Sequence, residues 1–275
     1  MPVIHTPRHQ QAALTLAPVP QAGYLLGGVA YALSPARAGC TEAVALAHAE
    51  ALELRALTRS EDPAEAARAG QAAQVRAAQE RLLAGAPLTA AERVVLRADF
   101  GGPQPVSLPD PLPIATDGSR QKAGSGGLGL GYTLGGRPYS LALPGTPPGA
   151  QEALAERLAL LLALRHARAL GAGQLTVASG HLFHVRRYRE GLAHPSRRKS
   201  ESLEALDALV AGLGGQVTFR YVPTRGTDAP HRLALHAQAL DALAQGGALT
   251  RGQAAALRRV HFALLAGQQG RSVLF

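Results

Sequence analysis

Three short apolar runs separated by glycine-containing turns precede the first long helical stretch in the C-terminal part of this chain, and that order limits the folds open to it. The runs are 112–119, 127–134 and 137–143, and the helical pattern that follows covers 150–170. Consecutive strands joined by short glycine turns form an antiparallel meander. Beyond the helix the pattern alternates: strand 174–179, helix 181–192, helix 201–213, strand 216–222, helix 229–244 and helix 249–266. Strands joined through helices pair in parallel, so the expectation is one mixed α/β sheet with helices on its faces.

Upstream, Phe100-Gly101-Gly102-Pro103-Gln104-Pro105-Val106-Ser107-Leu108-Pro109-Asp110-Pro111 holds four prolines and two glycines. Such a stretch continues neither a helix nor a central strand. It is read as a linker over 101–111, dividing an N-terminal domain (1–100) from a C-terminal one (112–275). In the first domain, 11–18 and 23–34 read as strands of a hairpin. Residues 41–58 read as a helix, and a second helix runs from Pro63, at a first-turn position, to Leu83. A third begins at Thr89-Ala90-Ala91-Glu92, a capping box. The alanine surface of helix 63–84 suits close packing within the chain or self-association with another copy.

The charge is uneven. The chain carries 28 basic and 19 acidic side chains and a net charge of +9. Residues 1–100 are balanced at nine of each sign, so the whole excess lies beyond residue 100. A basic C-terminal part favours a polyanion, most simply nucleic acid. A single cysteine, Cys40, excludes an intramolecular disulfide and a multi-cysteine metal site. No apolar segment has membrane-spanning length, so no membrane partner is expected and the chain is read as cytoplasmic.

Specific residues add chemistry to this order. Asp117 ends the first strand, within Ile114-Ala115-Thr116-Asp117-Gly118-Ser119. Gly126-Gly127-Leu128-Gly129-Leu130-Gly131-Tyr132 occupies the second strand, and Glu156 lies on the first helix. Leu175–Ser179, Ser202–Leu209 and Val217–Pro223 follow as strand, helix and strand. This ordered set resembles the ribonuclease H family over residues 112–243. The resemblance implies a ribonuclease H-like mixed sheet with flanking helices, preceded here by a hairpin and helical domain. It also implies a site in which four carboxylates hold two metal ions for phosphodiester cleavage.

On that resemblance Asp117 and Glu156 are the catalytic and metal-ligating residues. The other two acidic positions fall on Gly180 and near Leu235, and Arg225 stands where the family often has a mobile histidine. None of these ligates Mg²⁺, which takes oxygen donors. Glu152, Asp228, His231 and His236 are the nearby residues able to help complete a site, with His181 a further imidazole, and imidazoles suit Mn²⁺ or Zn²⁺ better than Mg²⁺. Mg²⁺ or Mn²⁺ is the ion expected in an occupied site; otherwise no cofactor is expected.

The expected partner is nucleic acid, either duplex or RNA–DNA hybrid. Its expected contacts are Arg186, Arg187, Arg189, Arg197, Arg198, Lys199 and Arg225, with Tyr188 able to stack on a base. Three readings stay open: a nucleic-acid-binding protein with an incomplete two-metal site, an active metal-dependent ribonuclease H with rearranged ligands, and a protein-interaction scaffold. His181-Leu182-Phe183-His184 reads either as a metal pair or as a partly buried helix start, and Gly124–Gly129 as a hairpin turn rather than a phosphate cradle. The segment Gly27–Leu33, followed by a helix, echoes Gly129–Leu134 followed by the helix of Glu156. That echo fits either a duplicated half-domain or ordinary strand-then-helix composition.

Overall fold

A computed structural model describes residues 12–14, 23–27, 29–33, 35–52, 57–59, 63–101, 107–120, 127–145, 152–191, 200–223 and 228–268. In chain order the elements are β1 (Ala12–Leu14), β2 (Gly23–Leu26), β3 (Val29–Ala32), a 3₁₀ turn (Pro35–Cys40), α1 (Thr41–Ala51), β4 (Leu57–Arg59), α2 (Pro63–Leu83) and α3 (Ala90–Gly101). They continue with β5 (Leu112–Arg120), β6 (Leu128–Leu134), β7 (Arg137–Leu143), α4 (Glu152–Leu170), β8 (Leu175–Ser179), α5 (Leu182–Glu190), α6 (Glu201–Gly212), β9 (Val217–Tyr221), α7 (Asp228–Ala244) and α8 (Arg251–Gln268).

The chain forms two compact units, Gln79–Gln238 and Met1–Ala78 with Ala239–Leu274. The division expected at 101–111 therefore falls elsewhere. Prolines and glycines mark where regular structure stops, whereas compactness follows tertiary contacts, and α3 packs against α4 on the far side of that stretch. Likewise α8 joins the unit of β2, β3 and α1 instead of extending the larger one.

In the larger unit a five-stranded sheet has the order β7-β6-β5-β8-β9. β5, β6 and β7 are antiparallel neighbours, while β8 and β9 join β5 in parallel. This is the mixed α/β sheet with flanking helices expected from the sequence. Leu112, Ile114, Leu128, Leu130, Tyr132, Leu134 and Leu141 are buried in the sheet, and α4 contributes Ala155, Ala159, Leu160, Leu162, Ala163 and Ala167. The apolar stripe of α4 spans several turns, so burial on the sheet stabilises a helix whose alanines already favour it.

The smaller unit departs from expectation in two places. β2 and β3 make the hairpin between themselves, within 23–32, and β1 pairs in parallel with β4. The helix expected over 41–58 ends at Ala51, with 57–59 forming β4. An alanine-rich continuation does not prevent Leu57 and Thr58 from taking a strand partner, because pairing overrides weak propensity. The capping box at α3 is present: Glu92 Oε2 accepts from the Thr89 N–H at 2.7 Å, and Thr89 Oγ1 accepts from the Glu92 N–H at 3.2 Å. On α2, Ala73, Val75, Ala78 and Leu82 are buried, so its small-residue face is used within the chain. Among the described residues no helix is long and apolar enough to cross a membrane.

Candidate active site and nucleic-acid interface

β5 carries Asp117 between two helices packed on opposite faces of the sheet. Residues directly paired across antiparallel strands share a face, so Asp117 with Gly131 and Ser119 with Gly129 point the same way. That face meets α7. A methyl group built on Gly129 would lie 2.0 Å from the Ala234 carbonyl oxygen, and one on Gly131 would lie 1.9 Å from that of Pro230. Glycine at both positions lets the α7 backbone rest directly on β6. Gln238 then clamps the strand, its Nε2 donating to the Ser119 carbonyl at 2.8 Å and its Oε1 accepting from Ser119 Oγ at 3.2 Å.

Gly118 faces the other way. A methyl group there would lie 2.2 Å from the Ala155 carbonyl carbon and 2.3 Å from the Glu156 backbone nitrogen. The start of α4 thus touches β5 one residue beyond Asp117, which brings the backbones of Asp117 and Glu156 onto adjacent elements. Asp117 is 7% exposed and Glu156 is half-buried. The glycine after Asp117 serves this close helix approach.

His231, in the first turn of α7, brings Nδ1 to 3.6 Å from Asp117 Oδ2. The imidazole keeps 43% of its surface exposed while the carboxylate keeps 10%, so the pair opens to solvent on the histidine side. His236, in the same helix, is 4% exposed, and burial holds its pKa down at about 4. It is neutral at pH 7. Asp228 is the exposed first residue of α7 and Glu152 the first of α4, its side chain outside the described residues.

The other two positions that the resemblance points to hold no acid. Gly180 follows β8, and Leu235 lies on α7. The His181 ring stacks on His184 with 4.1 Å between centroids, and the His181 N–H donates to Ser179 Oγ at 3.2 Å. Among the described residues no group of three or more histidine, cysteine, aspartate or glutamate side chains could hold a metal ion. Among the described residues, Asp117, Glu156 and His231 therefore do not make up the two-metal cage that the resemblance implies.

The basic run divides. Arg186 and Arg189 are exposed on α5. Arg187 is instead engaged by Asp207 of α6, with Nε at 2.8 Å from Oδ1 and Nη2 bonded to Oδ2. The Asp207 carboxylate raises the guanidinium pKa further. Tyr188 donates to the same carboxylate at 2.9 Å and packs on Phe219 at 5.0 Å, so its ring is used in tying α5 to α6 and β9. Sequence reasoning missed Asp207, whose signal is one acid beside Leu203, Leu206 and Leu209 on an otherwise apolar helix face. Arg157, next to Glu156, donates to Ser202 Oγ at 3.1 Å and also to Ser200, joining α4 to the start of α6. Arg197, Arg198, Lys199 and Arg225 lie outside the described residues, as does most of the glycine turn before β6.

No family model and no curated protein sequence matches this chain. Solved structures are similar to about half of this chain. Ribonuclease H1 from the halophilic archaeon Halobacterium salinarum NRC-1 is 17% identical, with 46% of this chain and 96% of that one covered and a TM-score of 0.37. The N-terminal RNase H domain of a Mycobacterium tuberculosis protein is 22% identical over 50% and 99% of the two chains, with a TM-score of 0.37. LC11-RNase H1 in complex with an RNA/DNA hybrid is 20% identical over 46% and 95%, with a TM-score of 0.36.

Proposed function

We propose that this chain binds nucleic acid, duplex or RNA–DNA hybrid, through a ribonuclease H-like unit whose two-metal site is incomplete. The observation that carries this reading is the pairing of a retained start with a lost finish. Gly118 brings Asp117 and Glu156 onto adjacent elements, yet no third donor completes a metal group among the described residues. Two carboxylates bind a hard cation weakly, and cleavage by metal-positioned water loses its nucleophile with the metal. Binding depends on other groups. The basic excess of the C-terminal part and the exposed Arg186 and Arg189 supply phosphate contacts that need no metal.

An active enzyme with rearranged ligands is the second reading, favoured by His231 beside Asp117. A single experiment separates the two. Purified protein is titrated with a labelled RNA–DNA hybrid and with duplex DNA, then incubated with the hybrid in Mg²⁺ or Mn²⁺. The expected outcome is salt-dependent binding without cleavage. Cleavage abolished by Asp117→Asn would establish the second reading, and no binding at low salt would remove both.

A further inference from the structure

Two clusters of buried rings, one in each compact unit, have the same composition and geometry. In the larger unit Tyr132 and Tyr139 stack at 5.3 Å and 17°, His166 meets them edge-on at 5.9 and 4.7 Å, and the Tyr132 hydroxyl lies 2.9 Å from His166 Nδ1. In the smaller unit Tyr24 and Tyr31 stack at 5.4 Å and 20°, His48 meets them edge-on at 5.9 and 4.6 Å, and the Tyr24 hydroxyl lies 2.8 Å from His48 Nδ1. Each cluster joins a hairpin to the helix after it.

The sequences around the rings match in the same register. Gly23-Tyr24-Leu25-Leu26-Gly27-Gly28-Val29-Ala30-Tyr31-Ala32-Leu33 and Gly131-Tyr132-Thr133-Leu134-Gly135-Gly136-Arg137-Pro138-Tyr139-Ser140-Leu141 agree at seven of eleven positions. Gly27 and Gly135 have φ of 59° and 57° in the two turns. Ala45-Leu46-Ala47-His48-Ala49-Glu50-Ala51-Leu52 and Ala163-Leu164-Arg165-His166-Ala167-Arg168-Ala169-Leu170 agree at six of eight. The next strand keeps that offset, Leu57-Thr58 matching Leu175-Thr176, and pairs in parallel with the strand before the hairpin in both units. The echo in the sequence is therefore real, in a register that begins at Gly23 and Gly131 rather than at Gly27 and Gly129.

The ends of the two copies match as well. α2 and α7 each close with a left-handed glycine, Gly85 and Gly246, followed four residues later by a capping box. The box is Thr89 with Glu92 in one, and in the other Thr250 with Gln253, at 2.9 and 3.2 Å. The compact units change over within these helices at matching places, after Ala78 and after Gln238. As a result α3, from the first copy, belongs to the unit of the second, where the Phe100 carbonyl accepts from Arg137 at 2.9 Å. α8, from the second copy, belongs to the unit of the first, where His261 Nδ1 lies 2.5 Å from the Tyr31 hydroxyl.

We propose that the chain is an internal duplication of one strand–hairpin–helix–strand module whose two copies exchange their capped terminal helices, and that only the second copy carries the candidate site. By the strand registers, Ala12 and Leu112 occupy equivalent positions opposite Leu57 and Leu175, and counting on along the sequence alone sets Asp117 against Ala17. By the helix register Glu156 falls on Ala38. The first copy thus has alanine at both positions, and metal chemistry there belongs to the second copy alone. This inference is independent of whether the second copy is active.

The test uses the full chain with a protease site replacing Pro103–Pro105, cleaved in the folded state. Exchanged helices make each fragment depend on the other, so the fragments are expected to co-elute and unfold in one transition, or to unfold if separated. Fragments that separate while each remains folded would overturn the exchange. In parallel, Tyr24→Phe and Tyr132→Phe each remove one hydroxyl, and amide exchange should accelerate about fivefold, in α1 for the first variant and in α4 for the second. Acceleration in only one of the two would overturn the equivalence of the copies.

Discussion

Arg187 and Arg186 are neighbours in sequence with opposite roles, because one step along a helix turns a side chain by about 100°. Arg187 meets Asp207 in a forked pair that is largely shielded from water, its side chain 13% exposed. Asp207→Ala leaves that guanidinium and the Tyr188 hydroxyl without their shared acceptor, and is expected to cost about 2–3 kcal/mol in urea unfolding. Arg186→Ala with Arg189→Ala should leave stability within about 0.5 kcal/mol while weakening hybrid binding. Its salt slope on B-form duplex should fall by about 0.9 for each phosphate that is no longer neutralised. Unchanged binding in that double variant would return these arginines to solvated surface. The same contrast takes Arg187 out of the exposed basic run of α5: an acid on α6 claims it.

At the scale of elements, the candidate site depends on glycines that let helices touch strands. Gly131→Ala places a methyl 1.9 Å from the Pro230 oxygen and 2.6 Å from the Ala234 nitrogen. Backbone atoms cannot rotate aside, so α7 must lift from β6, carrying His231 away from Asp117. The expected loss is about 3 kcal/mol or more, read as a lower urea midpoint. Gly212→Ala, at the end of α6 with nothing within 4 Å, serves as the control and should be neutral or stabilising by up to about 1 kcal/mol. Equal effects at the two positions would contradict the close packing of α7.

For the whole molecule, buried imidazoles link stability to pH. Burial lowers the pKa of His166 to about 3 and of His236 to about 4. An unfolded chain binds a proton at each near 6.5, so between about pH 4 and 6.5 unfolding takes up protons and stability rises with pH. Each group contributes about 1.4 kcal/mol per pH unit in that window, and the two together remove on the order of 4 kcal/mol at pH 5 relative to neutral pH. Urea midpoints measured from pH 5 to 8 should climb and then level above about 7. A flat profile across pH 5–7 would mean that these histidines are not buried neutral.

Much of this architecture is written locally. The apolar strands of 112–143, the helix of Glu156, the alternation beyond it and the Thr89 capping box depend on side chains within a few residues of one another, so their order was legible without the fold. The elements that carry Asp117 and Glu156 were legible for the same reason, whereas the choice of these two acids came from the family resemblance. Tertiary structure decided what depends on partners far along the chain: that 57–59 pairs with 12–14, that Asp207 reaches Arg187, and that Gly118 admits α4. It also decided that α3 and α8 leave the segments they follow for the other unit. Local sequence sets which face of a helix is apolar. Which surface that face covers is settled by the shape and burial of residues a hundred or more positions away, and proline-rich composition near residue 105 carries no information about them.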